Sequence, residues 1–283
     1  MTDPSAGPSA GPQAGAPRVR GRRPPAGDPV VDRAMALLFA FGADHRRLTL
    51  TELSRRTGIP ASSALRLANR LMAWGALERD PAGRFSIGLR LFEVASLSPR
   101  GHGLREVALP YMGDLAETTR HHVLLAVRDG DEAILVERIS GRDAIPTMYR
   151  VGGRLPLHAT GVGLVLLAHA GPAFQAEYLA RPLVREPEQV PVDPAELRRT
   201  LAHVRRTQAV ALRRNVIEPL MSVACPILTT DGEVVAALAA IVPEQKADPR
   251  RLIPVVQLAA RSIGRSLDAS LGVSPGTSPG TGA

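Results

Sequence analysis

The sequence contains one cysteine, almost no lysine and no long apolar run. One cysteine among 283 residues excludes an intramolecular disulfide framework and a cysteine-based zinc finger, and it indicates a reducing compartment, the cytoplasm. No run approaches the roughly 18–20 apolar residues of a membrane span, and the N-terminus lacks the order of a secretory signal. These absences exclude the membrane-spanning and extracellular classes. Every basic residue except Lys246 is an arginine, which a coding bias can also produce.

Positive charge is in excess, and it is unevenly distributed. The net charge is +8, and residues 1–100 supply 15 arginines against 8 acidic residues, a net of +7. The other 183 residues hold 20 basic and 19 acidic side chains. This asymmetry indicates contact with a polyanion, with nucleic acid as the first candidate and a membrane surface as the second. A solvated basic face without a partner has the same composition.

The length and the 45% apolar content predict two domains, and both ends of the chain are expected to be disordered. Residues 1–28 and 272–283 are rich in Pro, Gly, Ala, Ser and Thr and have little to bury. The first segment contains RVRGRRPP, a basic arm that can follow phosphates or enter a minor groove, or can simply be solvated.

Residues 29–88 show the element order of a winged helix-turn-helix. Three segments have helical apolar spacing, and two strand-like runs around the turn Asp80-Pro81-Ala82-Gly83 follow them. The third helix is expected to dock on the first two through an apolar stripe formed by Ala64, Leu67, Leu71 and Trp74.

The other side of the third helix is polar and is the candidate DNA-binding surface. Serine and asparagine can contact base edges or phosphates, and arginine can bind a guanine edge through two hydrogen bonds. The candidate DNA-binding residues are Ser62, Ser63, Arg66, Asn69 and Arg70 on the helix and Arg84 near the hairpin tip. The alternatives are a solvated face and, for the two serines, capping of the helix N-terminus.

The second part of the chain begins with a helical connector and continues with strands and helices. Residues 89–118 form two helical stretches broken near Pro99-Arg100-Gly101, which serve as a linker and dimer contact or as the first helices of the next domain. Residues 119–271 contain two strand pairs with Asp-Gly at their turns, and several helices. This pattern predicts an α+β domain of the sensor type.

Catalytic and metal-binding patterns are absent from the sequence. Cys225 and His158 are a conceivable nucleophile and base, but Cys225 lies in the apolar run VACPIL and is expected to be buried. His121 and His122 are adjacent in a predicted strand and point to opposite faces, which disfavours a chelate. HExxH, GxGxxG and Walker A motifs do not occur. We therefore expect no cofactor, no metal and no enzymatic activity, and we expect His158 to hold a loop backbone.

Four segments, in this order and spacing, make residues 29–271 resemble the IclR family of bacterial transcriptional regulators. They are LTELSRRTGIPASSALRLANRLMAWGALERD, GRFSIGLRL, VGGRLPLHATGVGLVLLA and SVACPILTTDGEVVAAL. The resemblance implies an α+β protein with an N-terminal winged helix-turn-helix, a helical linker and a C-terminal GAF-like domain that binds a small effector. It also implies a homodimer or a dimer of dimers on double-stranded DNA at a pseudo-palindromic operator, and repression is the commoner outcome.

The resemblance also implies which residues surround the effector. They are Leu155, Thr160, Gly161 and Val162 around a helix start, and Leu220, Ser222, Ala239 and Ile241 on the last hairpin. Backbone N–H groups at a helix start suit a carboxylate.

Three departures from the family pattern bear on the effector. A lysine that often follows the glycine-rich turn is absent from the run Gly161-Val162-Gly163-Leu164, and alanine and isoleucine replace wall serines of some members. Arginines and an asparagine at 213–215 stand where relatives tend to have acidic residues, and one arginine there can pair with an acid or remain a solvated strand end. The prediction is a moderately apolar effector with one acidic group.

Two other classes remain as alternatives. A small-molecule-binding enzyme with an accessory winged helix would need a convergent polar cluster in the C-terminal domain. A winged helix used only for protein contact is disfavoured by the arginine-rich face of the third helix.

Overall fold

A computed structural model describes the chain over residues 29–270, apart from residues 43, 148, 186–189 and 216–218. The chain divides into two compact units, Met1–Phe92 and Glu93–Ala283. The predicted basic arm, residues 1–28, and the predicted tail, residues 272–283, lie outside the described residues. Among the helices described, none is long and apolar enough to cross a lipid bilayer.

The first unit contains three helices followed by a hairpin, in the order that the sequence predicts. Its elements are α1 (Val30–Phe39), α2 (Leu50–Thr57), α3 (Ala61–Ala73), β1 (Leu77–Arg79) and β2 (Phe85–Ile87), and α4 (Leu89–Ser96) follows them. The two strands pair antiparallel across a turn in which Gly83 has a φ of 80°. Leu48 forms an additional antiparallel bridge with Phe85, which ties the segment before α2 to the hairpin.

Local sequence determines where α2 begins and ends. The Thr49 hydroxyl accepts the backbone N–H of Glu52, and the Glu52 carboxylate accepts the backbone N–H of Thr49, which is a capping box. Gly58 ends the helix in the left-handed conformation with a φ of 69°.

The apolar stripe of α3 packs into the core of the first unit except at its last member. Ala64 and Leu67 are buried and Leu71 is half-buried, but the Trp74 side chain is 75% exposed. The prediction that Trp74 docks on the first two helices is therefore wrong. The helix ends at Ala73, and Trp74 has left the helical conformation with φ −93° and ψ 2°, so helical spacing no longer determines where its side chain points.

The second unit combines a six-stranded sheet with helices. Its elements are a π-helical turn (Pro99–Gly103), α5 (Leu104–Thr119), β3 (His122–Asp129), β4 (Glu132–Ser140), β5 (Arg154–Pro156), α6 (Gly161–Ala168), α7 (Pro172–Leu179), β6 (Val184–Arg185), β7 (Val190–Pro191), α8 (Pro194–Thr207), β8 (Val210–Asn215), β9 (Pro219–Leu228), β10 (Val234–Pro243), a 3-10 turn (Glu244–Lys246) and α9 (Pro249–Ser270). Strands β6 and β7 form a separate two-stranded ribbon.

The sheet is antiparallel and has the strand order β5-β4-β3-β10-β9-β8. Both predicted Asp-Gly hairpins are present, since β3 pairs with β4 and β9 pairs with β10. Gly130 and Gly232 lie at the two turns with φ values of 58° and 84°, a backbone conformation that favours glycine.

Two apolar clusters cover the two faces of this sheet. One cluster, which we call the α6 face, contains Leu124, Ala239 and Ile241 together with residues of α6 and α8. The opposite cluster, the α9 face, contains Leu125, Leu238 and Cys225 together with residues of α5 and α9. The predicted break near residues 99–101 is the π-helical turn, and α5 buries Ala108, Met112, Leu115 and Ala116 in the α9 face. The part of 89–118 from Leu104 onward is thus a core helix of the second unit.

Replacing Gly264 in α9 by alanine is expected to destabilise the second unit. An added Cβ would lie 2.0 Å from the carbonyl oxygen of Leu228, and this backbone atom cannot move aside as a side chain could. Overpacking of this kind costs about 1–3 kcal/mol. Urea unfolding followed by circular dichroism measures the loss in the free energy of unfolding.

Gly113→Ala is the matched control for Gly264→Ala. Gly113 is also a helical glycine, but no described atom lies within 4 Å of its added Cβ. Alanine is favoured over glycine in helices by about 1 kcal/mol, so this variant should keep or gain stability. Equal free energies of unfolding for Gly264→Ala and the parent chain would contradict the close packing of α9 on β9.

Candidate DNA-binding helix and candidate ligand face

Helix α3 presents a polar face without internal partners. Ser62, Arg66, Asn69 and Arg70 are exposed and Ser63 is half-buried. In the described part of the chain, none of these five side chains makes a hydrogen bond or an ion pair. The N-cap of the helix is Pro60, without a side-chain cap, so the capping alternative for Ser62 and Ser63 does not apply. The face is therefore free to contact an external group.

Arg84 in the wing has a partner, unlike the residues of α3. Its Nε lies 3.0 Å from Asp80 Oδ2, and its backbone N–H donates to Asp80 Oδ1 at 2.9 Å. These contacts, the backbone hydrogen bond first, lower the pKa of the Asp80 carboxyl below its usual value. A phosphate would compete with Asp80 for the Arg84 guanidinium.

A second arginine of the wing escaped the sequence analysis. The Arg79 guanidinium lies 5.1 Å from the centre of the Phe85 ring, and its Nε donates to the Gly83 carbonyl at 3.1 Å. The register that pairs Arg79 with Phe85 places the two side chains on one side of the hairpin. Alternation in the two strand-like runs could have indicated this pair.

All eight predicted effector residues are buried in the second unit. Ser222 pairs with Ile241 and Ala224 pairs with Ala239, so the α6 face brings these positions of β9 and β10 side by side. Leu220 lies two residues before Ser222 and has the same orientation. Leu155 belongs to the same apolar cluster. Its strand, β5, is one edge of the sheet, and β8 is the opposite edge.

The start of α6 rests directly on β9. A Cβ on Gly161 would lie 2.5 Å from Ser222 Oγ and 3.3 Å from the Ala224 Cβ, so the glycine permits this approach. Thr160 caps the helix, because its hydroxyl accepts the Gly163 N–H at 3.1 Å and donates to the Pro156 carbonyl at 3.0 Å. The predicted neighbourhood of Thr160, Gly161, Val162 and Ser222 is thus compact and polar at its centre.

Two polar side chains on the α6 face were missed by the sequence analysis. His122 pairs with Ile241 in the register, and its Nε2 lies 2.5 Å from the Ile145 carbonyl oxygen. Arg138 pairs with Leu124, and its Nη1 donates to the Tyr149 carbonyl at 2.7 Å. Both therefore hold the segment between β4 and β5 against the face. Alternation from His122 through Leu124 could have indicated the histidine.

A bulge in β4 explains why the arginine was missed. Leu125 pairs with Glu137 whereas Ala126 pairs with Leu135, so Val136 is an extra residue. The bulge reverses the alternation, which turns Arg138 to the α6 face and Glu137 to the α9 face. Glu137 there contacts Arg105 of α5 at 2.5 Å.

The arginines suggested for an acidic effector do not converge on the α6 face as far as they are described. Arg213 pairs with Met221 of the opposite cluster, is exposed, and forms an ion pair with Glu244 at 3.2 Å. Its side chain points away from the predicted pocket. The side chains of Arg214 and Asn215 lie outside what the structure describes.

The conceivable nucleophile and base lie in different environments. Cys225 is 1% exposed in the α9 face, and burial raises the pKa of its thiol to about 12. His158 contacts the Tyr178 hydroxyl at 2.8 Å and the Val184 carbonyl at 2.9 Å, so both ring nitrogens are occupied, and the backbone that His158 holds is that of β6 and not a loop. Within the described residues, no cluster of three or more His, Cys, Asp or Glu side chains could hold a metal ion.

Two family models match the chain, and together they cover most of the described residues. The IclR helix-turn-helix domain matches residues 30–81. The model of the bacterial transcriptional regulator IclR C-terminal matches residues 98–267. The division between them agrees with the two units of the structure.

Curated relatives and solved structures give the same similarity. The chain is 38% identical to the HTH-type transcriptional regulator KipR of Bacillus subtilis over 46% of this chain, but it spans only about half of KipR, 51%. It is 30% identical to the HTH-type transcriptional regulator BhcR of Paracoccus denitrificans over 82% of this chain and 84% of BhcR. A crystal structure of an IclR homolog from Microbacterium hydrocarbonoxydans in complex with 4-hydroxybenzoate is 36% identical, with a TM-score of 0.80 over 85% of this chain and 100% of that chain.

Cys225 is expected to be unreactive toward a thiol reagent in the native protein at about pH 8. An ordinary thiol, with a pKa of about 8.5, is partly ionised there, whereas the buried Cys225 stays protonated and inaccessible. Titration with dithionitrobenzoate should detect no thiol before unfolding and one per chain in concentrated guanidinium chloride. Rapid reaction of the native protein would contradict the buried environment of Cys225.

Proposed function

This chain belongs to the IclR family of bacterial transcriptional regulators, and from that membership we propose that it binds operator DNA through α3 and responds to a small organic acid. The observation that carries the DNA-binding part is the partner-free polar face of α3. Five side chains of this face make no hydrogen bond or ion pair with a described residue, namely Ser62, Ser63, Arg66, Asn69 and Arg70. The net charge of +7 over residues 1–100 favours a polyanion as their partner.

The side chains of this face fit different parts of DNA. Arg66 and Asn69 lie near the middle of α3, where a recognition helix meets base edges, and they are assigned to sequence discrimination. Arg70 and the two serines suit base edges or phosphates. Arg84 is assigned to a phosphate or the minor groove beside the wing, in exchange for Asp80.

The active species is proposed to be a homodimer or a dimer of dimers. Helix α1 exposes Val30, Val31, Met35 and Phe39, and helix α4 exposes Leu89, Phe92 and Val94. Apolar surface of this extent favours a protein partner, and a second copy supplies the two-fold symmetry that a pseudo-palindromic operator requires. Two recognition helices then occupy major grooves about 34 Å apart or a multiple of that distance.

We assign the protein to the cytoplasm, with repression as its effect.

The second unit is proposed to bind a moderately apolar organic acid. Its eight predicted pocket residues are buried, and six of them have no polar side chain, the exceptions being Thr160 and Ser222. A similar protein was crystallised with 4-hydroxybenzoate, an aromatic acid of this kind. The environments of Cys225 and His158 support no catalytic role, and no cofactor or metal is proposed.

Specific DNA binding with a steep salt dependence is the expected result for the purified protein. Fluorescence anisotropy would compare the DNA upstream of its own gene, or fragments that it selects from genomic DNA, with scrambled duplexes across a salt series. The logarithm of the association constant should fall with the logarithm of salt by roughly 0.9 per phosphate neutralised. Binding to no duplex at low salt would contradict the proposal.

Arg66→Ala is expected to weaken operator discrimination strongly and leave effector binding intact. Loss of one bidentate contact to a base costs about 1–3 kcal/mol, so the operator-to-scrambled affinity ratio should fall about 5- to 150-fold. Arg56→Ala, at an exposed position of α2, is the matched control and should lower both affinities equally or not at all. An unchanged ratio for Arg66→Ala would show that α3 does not discriminate between bases.

A further inference from the structure

We propose that Arg138 binds the carboxylate of the effector and thereby makes the second unit selective for small monocarboxylic acids with an apolar body. The inference rests on the proposed function, because it assigns a specificity-determining residue to the same effector site. It takes the place of Arg213, whose side chain pairs with Glu244 on the other side of the sheet, as the proposed source of positive charge.

The position of Arg138 results from the β4 bulge. If β4 had no bulge and alternated strictly from Ala133 and Leu135, Glu137 would face the α6 side and Arg138 the opposite side. With the bulge, Arg138 pairs with Leu124, whose side chain belongs to the α6 face. The hydrogen bond to Tyr149 confirms the direction, since Tyr149 packs against the same cluster.

The guanidinium of Arg138 has unused binding capacity. One nitrogen donates to the Tyr149 carbonyl, whereas a guanidinium has five N–H donors arranged to match a carboxylate. Among the described residues, no carboxylate lies within ion-pair distance of it, and its side chain is half-buried beside apolar residues. A cation in such surroundings is stabilised by an anion that arrives with the ligand.

The other charged groups near this face are already engaged. Glu137 points to the α9 face, where Arg105 contacts it. Both ring nitrogens of His122 have partners, Ser140 Oγ at 3.1 Å and the Ile145 carbonyl. Arg128, toward the β3–β4 turn, lies 4.5 Å from the centre of the Phe174 ring. Among the side chains that the structure describes on this face, Arg138 is thus a cation with capacity for a carboxylate.

The distance from Arg138 to the predicted pocket suits a small acid. Arg138, Leu124, Ala239 and Ala224 lie opposite one another on β4, β3, β10 and β9. Neighbouring strands are about 4.8 Å apart, so Ala239 is roughly 10 Å from the Arg138 backbone, and the arginine side chain spans part of that distance. A small acid whose carboxylate is held by Arg138 would therefore direct its apolar body toward Leu124 and Ala239, in the proposed pocket.

Calorimetry with two ligands and two proteins tests the role of Arg138. The ligands are 4-hydroxybenzoate and 4-hydroxybenzamide, which differ in charge and little in shape. The parent chain should bind the acid about 10- to 100-fold more tightly, the range expected for a hydrogen-bonded charge. Arg138→Gln should bind both ligands within about 3-fold of each other and should keep the parent's amide affinity. Glutamine retains a donor for the Tyr149 carbonyl, so the loop contact is preserved.

Arg138→Lys and Arg213→Met complete the experiment. Lysine keeps the charge without the two parallel donors, so it should restore part of the acid preference even where Arg138→Gln folds poorly, which thermal melting would report. Arg213→Met removes an arginine on the opposite face and should leave the preference unchanged.

The outcomes separate this inference from the proposed function. If Arg138→Gln and Arg138→Lys both keep the full preference for the acid, Arg138 does not bind the carboxylate, and the effector site stands. If the parent chain binds both ligands equally, or binds neither these two nor other small monocarboxylic acids such as benzoate and butyrate, the acidic effector class is wrong and the inference falls with it. If acid preference is lost only at Arg138, the inference is supported.

Discussion

The sheet of the second unit is buried on both faces, and the ligand domain depends on that constraint. Successive residues of β10 alternate between the two apolar clusters, and four of the five from Ala236 to Ala240 are alanines, which lets helices approach closely. Gly161 and Gly264 permit the closest approaches, one on each face. Buried polar side chains in such a sheet are stabilised by partners, and Arg138, His122 and Glu137 each have one. These few groups therefore determine the chemistry that the domain can offer.

The sequence predicted those features whose causes are local. The two Asp-Gly pairs specify both turns of the large sheet. The polar face of α3 follows from helical spacing within thirteen residues. The burial of Cys225 follows from its apolar neighbours in the chain. In each case the residues that decide the structure lie within one element or one turn.

The features that the sequence did not predict depend on contacts between distant segments or on departures from regular spacing. Trp74 is exposed because α3 ends one residue earlier, although the spacing continues the apolar stripe. Arg138 lies on the α6 face because of one unpaired residue in β4, and nothing in the run ILVERIS marks the bulge. The contact of Gly161 with Ser222 joins segments about sixty residues apart, and only the assembled sheet shows why a glycine is required. Regular side-chain periods of two residues in strands and 3.6 residues in helices cannot predict such irregularities.

A single cation is enough to make the response of such a domain selective. An effector changes DNA affinity only by its difference in affinity for two geometries of the protein. Allosteric coupling is typically 1–3 kcal/mol, and one charge-assisted hydrogen bond contributes about 1.5–3 kcal/mol. An apolar ligand gains mainly from burial, which distinguishes poorly between related compounds because one methylene contributes only about 0.8 kcal/mol. An arginine on a buried face therefore supplies binding energy for a response and discriminates an acid from its uncharged analogue. A purely apolar pocket without the arginine would lack this discrimination.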